Sequence, residues 1–261
     1  AAGRRKIPYV ATITGLGGAF DRTGLFLKLI VAMYRAGLRK ASCVFFQNEE
    51  NRGIFERFGI RGRKERMVPG SGVNLERHRF EPFPDTKETH FLFVGRVMKE
   101  RGILEFVEAA KRLHSESVHF DILGYCDEDY QEMLDVLEKE GVIHQLGFHT
   151  EVHPYLAATS AVVIASFHEG MSNALIEAAA TGRPVIASNI SGCREAFEDG
   201  VTGFGFTPGN AGELVDAMEK FLALSPESRA IMGQKAREKM EKEFDRHLVT
   251  GEYMDEVHKI I

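Results

Sequence analysis

The sequence has 261 residues, of which 44% are hydrophobic and 27% are charged, and its formal net charge is -5. Domains usually contain about 100–200 residues, so this length predicts one large or two smaller domains of ordinary globular composition. The negative net charge excludes a general electrostatic attraction to nucleic acid. Three well-separated cysteines, Cys43, Cys126 and Cys193, form no metal-binding or redox pair, which favours a reducing cytoplasm over a disulfide-stabilised protein.

The sequence starts at Ala1 without an initiator methionine and reaches a strand-like segment almost at once. The sequence therefore begins within the alternation of helices and strands, and we expect a fragment whose upstream part is absent. No apolar run reaches the roughly 18 residues that a membrane span needs.

Short apolar, β-rich segments alternate along the chain with longer helical patterns, which is typical of a parallel α/β fold. The predicted strands are Tyr9–Thr14, Cys43–Gln47, Phe91–Gly95, His119–Gly124, Val162–Ser166 and Pro184–Ser188. The predicted helices include Ile103–His114, Asp129–Lys139, Asn173–Thr181 and Ala211–Leu224. Most of the strands are almost continuously apolar, which indicates that helices cover both faces of the sheet.

A glycine-rich segment, Thr12 to Gly18, follows the first predicted strand. Glycines at a strand-to-helix turn let the backbone approach a phosphate closely, so Gly15 and Gly17 are candidate ligand-binding residues. The alternative is a turn that serves packing, and the segment alone is weak support for a site.

The next segment, Leu25 to Lys40, is apolar over much of its surface and has its basic residues mostly at its end. This composition is typical of a helix that lies at a membrane interface and is attracted to anionic headgroups. A helix buried in an N-terminal domain is the alternative, which the sequence alone slightly favours.

The periodic pattern lapses between Pro69 and Pro84, where glycines and prolines indicate turns and irregular structure. We interpret this stretch as a linker between two domains. It predicts a partial N-terminal domain over residues 1–75, a complete α/β domain over 76–235, and a charged helical tail over 236–261.

The segment from Gly95 to Gly102 joins a predicted strand to a helix, at the edge where α/β sheets bind ligands. Arg96 and Arg101 are candidate phosphate-binding residues, because guanidinium groups bind phosphate oxygens through paired hydrogen bonds. The alternative is a charged helix start in contact with water.

Two groups match metal sites only superficially. Asp127, Glu128 and Asp129 lie at a strand-to-helix turn, where acidic residues favour the amino terminus of the helix. His149 and His153 are four residues apart but have no evident third ligand, and zinc needs three or four. We therefore expect no metal site and no cofactor.

The strongest pattern runs from Ser166 to Ala178 and contains two glutamates, Glu169 and Glu177, at a strand–loop–helix junction. The backbone amides at the start of this helix, at the positive end of its dipole, predict a diphosphate site. These amides belong to Gly170, Met171, Ser172 and Asn173. From spacing alone, a loop glutamate and a solvated helix glutamate explain the pair equally well.

The segment from Ser166 to Ala178, followed by Gly182 to Ala187, resembles the signature of the retaining glycosyltransferase family 4. Further matches, in the order of the family, are Val94–Arg96, Gly192–Glu195 and Asp199–Gly203. The resemblance covers nearly all of residues 68–225. It implies the GT-B architecture of two facing Rossmann-like domains, here a complete C-terminal nucleotide-sugar-binding domain and a partial N-terminal, acceptor-side domain.

By this resemblance, Glu169 would be the catalytic residue that contacts the transferred sugar, and Glu177 would bind the ribose hydroxyls. The other donor-binding residues would be Gly15, Gly17, Arg96, Arg101, Gly170, Met171, Ser172 and Asn173. Two positions depart from the family pattern. Arg101 stands where lysine is common, and Thr14 stands where many relatives have a histidine near the glycine-rich loop.

The resemblance implies a metal-independent transfer of a sugar from a nucleotide diphosphate, most simply UDP, to an acceptor hydroxyl with retention. The loop from Thr14 to Gly17 resembles that of the bacterial subgroup that extends sugars on undecaprenyl diphosphate. This implies a lipid-linked (polyprenyl diphosphate) or glycan acceptor, and a cytoplasmic protein in peripheral contact with the inner membrane face. A non-catalytic nucleotide-sugar-binding fragment and a nucleotide-sugar epimerase of GT-B shape are the alternatives.

Overall fold

The structure is a computed structural model that describes residues 7–16, 20, 23–127 and 129–260. These residues form two parallel β-sheets. The smaller sheet contains, in spatial order, β1 (Val10–Ile13), β2 (Cys43–Phe46) and β3 (Glu65–Met67). The larger sheet contains β4 (Thr89–Val94), β5 (Val118–Leu123), β6 (His144–Gly147), β7 (Ala161–Ile164), β8 (Val185–Ser188) and β9 (Gly203–Phe206). Its spatial order is β6-β5-β4-β7-β8-β9.

Helices connect the strands of both sheets. They are α1 (Gly24–Leu38), α2 (Glu49–Arg57), α3 (Ile103–Leu113), α4 (Gln131–Lys139), α5 (His153–Ala158), α6 (Asn173–Ala180), α7 (Ala211–Leu222), α8 (Pro226–Lys239) and α9 (Arg246–His258). A π-helical segment, Met240–Phe244, links the last two. Within the described ranges, no helix combines the length and the apolar character that crossing a membrane requires.

The predicted parallel α/β fold is confirmed, and all six predicted strands are present with ends that differ by at most two residues. Three observed strands were not predicted: β3, β6 and β9. Each lies at an edge of its sheet, where a strand is short and needs fewer apolar side chains. Their sequences are accordingly polar or glycine-rich, which hides the strand pattern.

The core of the larger sheet has two layers, because successive side chains of a strand point to opposite faces. On β4, Phe91 and Phe93 pack in the layer that contains α3 and α7. Leu92 packs in the layer that contains α6. Helices therefore cover both faces of this sheet, as its apolar strands predict.

The chain crosses between the two sheets twice, and the crossings lie side by side. The N–H of Val73 donates to the carbonyl of Phe244 at 2.8 Å, and the N–H of Arg246 donates to the carbonyl of Val73 at 3.0 Å. The predicted helical tail, residues 236–261, therefore begins inside α8 and continues through this second crossing into α9.

The last helix, α9, packs on the smaller sheet. Val249 is buried beside Phe45 of β2, and the ring of Tyr253 lies 4.3 Å from the ring of Phe45. Glu256 is 4% exposed and accepts a hydrogen bond of 2.7 Å from Arg66 of β3. Residues of α9 thus pack on β2 and β3, which lie far from α9 in the sequence.

A buried arginine fixes the linker to the larger sheet. Arg183 has no exposed surface, and burial lowers its pKa to about 10. Its guanidinium donates hydrogen bonds of 2.7–3.2 Å to the backbone carbonyls of Glu81, Pro82, Leu156, Ala157 and Gly182. These carbonyl dipoles satisfy the buried charge and hold the segment before β4 in place.

Candidate active site

Two adjoining cavities lie between the smaller sheet and the carboxyl ends of β4 and β7. Their volumes are about 530 Å³ and 360 Å³, which is the size range of small-molecule sites. Both cavities are lined by Thr14, Arg101, Glu169 and Gly170. The carboxyl ends of parallel strands are the edge where α/β sheets bind ligands.

Gly170 is a point of close approach between two units: the smaller unit, built on the smaller sheet, and the larger unit, built on the larger sheet. A Cβ atom on Gly170 would overlap the carbonyl oxygen of Thr14, so a larger residue would push the units apart. The carbonyl of Gly170 accepts a hydrogen bond of 2.7 Å from Nδ2 of Asn48, and Oδ1 of Asn48 accepts one of 2.8 Å from the N–H of Asn51. Asn48 was not among the predicted site residues, because its local pattern indicates only a helix cap.

Glu169, the predicted catalytic residue, faces both cavities. Its side chain is 10% exposed. Its Oε1 atom accepts a hydrogen bond of 2.9 Å from Oγ of Ser166 and contacts Nη1 of Arg101. Burial raises the pKa of Glu169, while the charge of Arg101 and the hydrogen bond from Ser166 oppose that rise. The carboxylate is thus held in a desolvated position by groups from two segments.

The two predicted phosphate-binding arginines line the cavity beside α6. Arg101 ends a short 3-10 turn that is followed by Gly102, whose φ is 74°. A Cβ atom on Gly102 would overlap the carbonyl oxygen of Ala165, so glycine lets this turn pack against the end of β7. Arg96 is exposed and forms an ion pair of 2.8 Å with Asp127.

The amino terminus of α6 lies beside the same cavity. The lining there includes Gly170, Met171, Ser172, Asn173 and Ala174. First-turn N–H groups have no acceptor within their own helix, and the side chain of Ser172 makes no capping hydrogen bond. One predicted amide is already engaged, since the N–H of Ser172 donates to the carbonyl of Gly192 at 2.8 Å. The amides of Asn173 and Ala174 are the better candidates for an anion.

Glu177 lies one turn further along α6 and is not among the residues that line either cavity. Burial raises its pKa. Its Oε1 atom lies 3.7 Å from Nε2 of His78, a histidine whose pKa is lowered by burial to about 4. The contact between Glu177 and a ribose stays a prediction.

The glycine-rich segment after β1 reaches the site from the smaller sheet. Gly15 lines the larger cavity, and a Cβ atom there would lie 3.5 Å from the backbone nitrogen of Gly170, an ordinary packing distance. Gly17, the second predicted glycine, lies outside the described residues.

The sequence profile of the family described as "Glycosyl transferases group 1" matches residues 88–223. This match covers more than half of the chain and includes Arg96, Arg101, Glu169 and the start of α6. The chain belongs to the group 1 glycosyltransferases. The family resemblance of the segment from Ser166 to Ala178 is thereby confirmed.

Curated relatives of this glycosyltransferase are sugar-transferring enzymes. The N,N'-diacetylbacillosaminyl-diphospho-undecaprenol alpha-1,3-N-acetylgalactosaminyltransferase of Campylobacter jejuni is 25% identical over 280 residues, which cover 100% of this chain and 73% of that enzyme. A glycogen synthase of Mycobacterium tuberculosis is 29% identical over 211 residues, which cover 78% of this chain and 50% of that enzyme. The chain thus spans half to three quarters of the length of these relatives.

Solved structures share the fold. Anabaena HepE in complex with UDP aligns with a TM-score of 0.85 at 18% identity, over 99% of this chain and 74% of that one. Sucrose-phosphate synthase from Thermosynechococcus elongatus aligns with a TM-score of 0.84 at 20% identity, over 99% and 70%. The predicted GT-B architecture of the glycosyltransferase is confirmed.

Asp127, His149 and His153, which were set aside as metal ligands, have other neighbours in the glycosyltransferase. Asp127 pairs with an arginine, as described above, and Glu128 lies outside the described residues. Nε2 of His149 lies 2.8 Å from a tyrosine hydroxyl, whereas Nε2 of His153 lies 3.4 Å from a glutamate carboxylate. The two histidines therefore face different neighbours.

The loop after β8 also lines the larger cavity, and no role was predicted for it. Ser191 and Arg194 belong to this lining. Glu195 organises the loop by accepting hydrogen bonds of 2.9 Å from Oγ of Ser191 and 2.7 Å from the N–H of Gly192. The segment from Gly192 to Glu195 is part of the family resemblance. That match in the sequence could have identified this loop as part of the site.

Proposed function

We propose that this glycosyltransferase moves a sugar from a UDP-sugar to a hydroxyl of a polyprenyl-diphosphate-linked glycan, with retention of configuration. The observation that carries the proposal is the pairing of Glu169 with Arg101 beside the amino terminus of α6. The carboxylate of Glu169 would stabilise the positive charge that such a transfer creates on the sugar. Arg101 and the amino terminus of α6 would stabilise the negative charge on the diphosphate. The HepE complex with UDP and the undecaprenol-linked substrate named for the Campylobacter relative support the choice of donor and acceptor.

On the donor side, the leaving diphosphate would lie among Arg96, Arg101 and the amides of Asn173 and Ala174. Guanidinium groups and helix amino termini bind phosphate oxygens through charge-assisted hydrogen bonds. As the bond between C1 of the sugar and the phosphate oxygen breaks, these groups stabilise the charge that the diphosphate gains. A preorganised donor of this kind typically contributes about 3 kcal/mol to barrier lowering.

On the sugar side, Glu169 would stabilise the positive charge that develops on the ring. Its burial strengthens this interaction, since less water screens it. The acceptor oxygen forms a bond to C1 on the face that the diphosphate leaves. The proton of the acceptor hydroxyl passes to the departing phosphate oxygen, which balances the reaction and retains the configuration.

The surface of α1 supports a lipid-linked acceptor. Leu25, Leu29 and Met33 are 84%, 57% and 66% exposed, and residues four apart share one face of a helix. Val31 and Leu38 are buried against the smaller sheet, so α1 is neither wholly buried nor wholly exposed. An exposed apolar stripe of this kind fits shallow insertion into the cytoplasmic face of a membrane.

Calorimetric titration with UDP tests the donor site. Arg101→Met should weaken UDP binding by about 10–100-fold, because a hydrogen bond to a charged group contributes about 1.5–3 kcal/mol. Arg112→Met is the matched control, since the side chain of Arg112 is 52% exposed and pairs with Glu108 of the same helix. Absence of UDP binding, or equal affinity in both variants, would contradict the proposed donor site.

Turnover is tested with UDP-N-acetylgalactosamine and a polyprenyl-diphosphate-linked sugar, with the anomer of the product assigned by NMR. Glu169→Gln should lower kcat by about 10²–10³-fold while UDP binding persists. An inverted product would contradict retention. UDP binding by the wild-type chain without turnover on any acceptor would favour the non-catalytic alternative, which the partial coverage of relatives motivates.

Cosedimentation with vesicles that contain phosphatidylglycerol tests the membrane contact. Serine at the three exposed positions Leu25, Leu29 and Met33 should release most of the bound protein. Ile231→Ser and Leu248→Ser form the control, since both residues are more than half exposed on other helices. Equal binding by the two sets would exclude α1 as the contact.

A further inference from the structure

A cluster of imidazole and carboxylate groups lies at the edge of the larger sheet opposite to the donor cavity. Glu88 precedes β4, while His90 and His119 lie near the starts of β4 and β5 and are direct neighbours in the register. Strands rise about 3.3 Å per residue, so the cluster is roughly 15 Å from the loop at Gly95. It therefore lies apart from the proposed donor site.

Three side chains of this cluster converge. Oε2 of Glu88 lies 3.6 Å from Nε2 of His90 and 3.5 Å from Nε2 of His119. The two imidazole rings stack with centroids 4.7 Å apart at 29°. The three possible ligand atoms, one from each residue, all lie within 4.8 Å of one another. Two ligand atoms at 2.0–2.2 Å from a tetrahedral zinc ion are about 3.4 Å apart, which is close to the two distances from Glu88, and the Glu88 side chain is 55% exposed.

A fourth residue orients one of the imidazoles. Oδ2 of Asp121 lies 2.8 Å from Nδ1 of His90, and the carboxylate is 13% exposed. An ionised carboxylate accepts a hydrogen bond from the Nδ1–H group, so Nε2 of the neutral His90 ring keeps its electron pair, which faces Glu88. This hydrogen bond fixes the orientation of the ring and makes Nε2 a stronger electron-pair donor to a metal.

The other imidazole has an unsatisfied nitrogen. Nε2 of His119 is shielded from solvent and has no hydrogen-bond partner in the described part of the chain. A buried polar atom without a partner is costly, typically by about 1–3 kcal/mol. A cation between His119, His90 and Glu88 would satisfy this atom and would also compensate the charge of two nearby carboxylates.

We propose that Glu88, His90 and His119 bind one Zn²⁺ ion, with Asp121 as the positioning residue of His90. Imidazole and carboxylate ligands suit zinc, and a site of three protein ligands leaves one position for water. The ion would connect Glu88, the residue before β4, to the neighbouring starts of β4 and β5. Its role is structural, since the site lies at the opposite edge of the sheet from the donor cavity.

The test uses the full chain without a histidine tag, treated with EDTA and dialysed, then titrated calorimetrically with zinc chloride. We expect one ion per chain. His119→Gln should weaken binding by about 100-fold, and Asp121→Asn by about 10–100-fold, as loss of an outer hydrogen bond usually does. His258→Gln, at an exposed histidine of α9, should leave the affinity unchanged.

Cobalt supplies a second measurement, because Co²⁺ in a four-coordinate site absorbs visible light far more strongly than Co²⁺ in water. The band should appear in the wild-type chain and in His258→Gln, and disappear in His119→Gln. Glu88→Gln replaces His119→Gln if circular dichroism shows that the latter does not fold. UDP titration of the same variants keeps the two proposals separable, since UDP affinity should not change.

Two results would overturn the zinc site. One is the absence of zinc binding in the wild-type chain, which would identify the cluster as a network of contacts between histidines and carboxylates without a metal. The other is equal zinc affinity in His119→Gln and His258→Gln, which would show that the ion binds elsewhere on the surface.

Discussion

The two sheets are both parallel and both alternate with helices, but their faces are covered in different ways. The larger sheet is covered on both faces by helices from the same stretch of chain. The smaller sheet has α1 and α2 on one face, while α9, from the opposite end of the sequence, covers Phe45 and Cys43 on the other. The larger unit is therefore self-contained, whereas the smaller one depends on the return of the chain.

The site divides along the same line. The charged groups Arg96, Arg101 and Glu169 all belong to the larger unit. The smaller unit lines the larger cavity with residues that include Thr14, Gly15 and Glu50, while Asn48 donates a hydrogen bond to the carbonyl of Gly170. We therefore expect a change that weakens packing in the smaller unit to leave donor binding largely intact. The same change should lower turnover, because turnover needs both sides of the cleft.

The largest expected effect tests whether the larger unit depends on its linker. Arg183→Leu should lower the free energy of unfolding by about 3–5 kcal/mol, because the carbonyls that it satisfies would be left buried without a partner. Hydrogen exchange should show the loss in the strands of the larger sheet. Arg112→Leu, which removes an exposed i,i+4 pair, should cost about 0.5 kcal/mol or less. Similar effects of the two changes would show that Arg183 does not anchor the linker.

The next effect concerns the contact between the units. Gly170→Ala should lower turnover by about 100-fold, because its Cβ would force Thr14 away and displace the two sides of the cleft. UDP binding should fall far less, since the arginines remain in place. Gly37→Ala, in α1 with open space at its Cβ position, is the control for turnover. Unchanged activity in Gly170→Ala would mean that the close approach is not needed for catalysis.

A smaller effect tests the dependence of the smaller sheet on α9. Val249→Ala removes two buried carbon atoms and should lower stability by about 2 kcal/mol. Amide hydrogen exchange should become faster in β1 and β2 but not in β7 and β8. Met254→Ala, at a residue of α9 that is 44% exposed, should change stability by less than about 0.5 kcal/mol. Equal loss of protection in both sheets would show that the units unfold together.

The sequence predicted β1 and the central strands because their segments are largely apolar, and it missed the edge strands β3, β6 and β9 because their residues are polar or glycine-rich. It predicted that the tail is helical, since that pattern is local. It could not predict that Val249 meets Phe45, because nothing in a local pattern identifies a distant partner.

The same limit applies to the candidate site. Glu169 and Arg101 were found because each lies in a motif at a strand end, where a helix or turn begins. Asn48 was missed because its contact with Gly170 joins two sheets that are far apart in sequence. Glu88, His90 and His119 were missed because they come together through the register of β4 and β5, which the spacing of the residues does not show.

The smallest expected effect is the pH dependence of the contact between α9 and β3. Hydrogen bonds from Lys64, Lys259 and Arg66 lower the pKa of Glu256 from 4.5 to about 2. The unfolded chain therefore takes up a proton near pH 4.5 while the folded chain does not. The stability that this carboxylate contributes is complete above about pH 4.5 and is lost as the pH falls toward about 2.

Exchange rates of β3 in the wild-type chain and in Glu256→Gln should therefore differ at about pH 6 and converge toward about pH 3. Glu238→Gln, at an exposed glutamate of α8, should show no such convergence, because it does not contact the smaller sheet's basic residues. A constant difference between wild type and Glu256→Gln across this range would mean that packing around α9, rather than the ion pairs, holds α9 against β3.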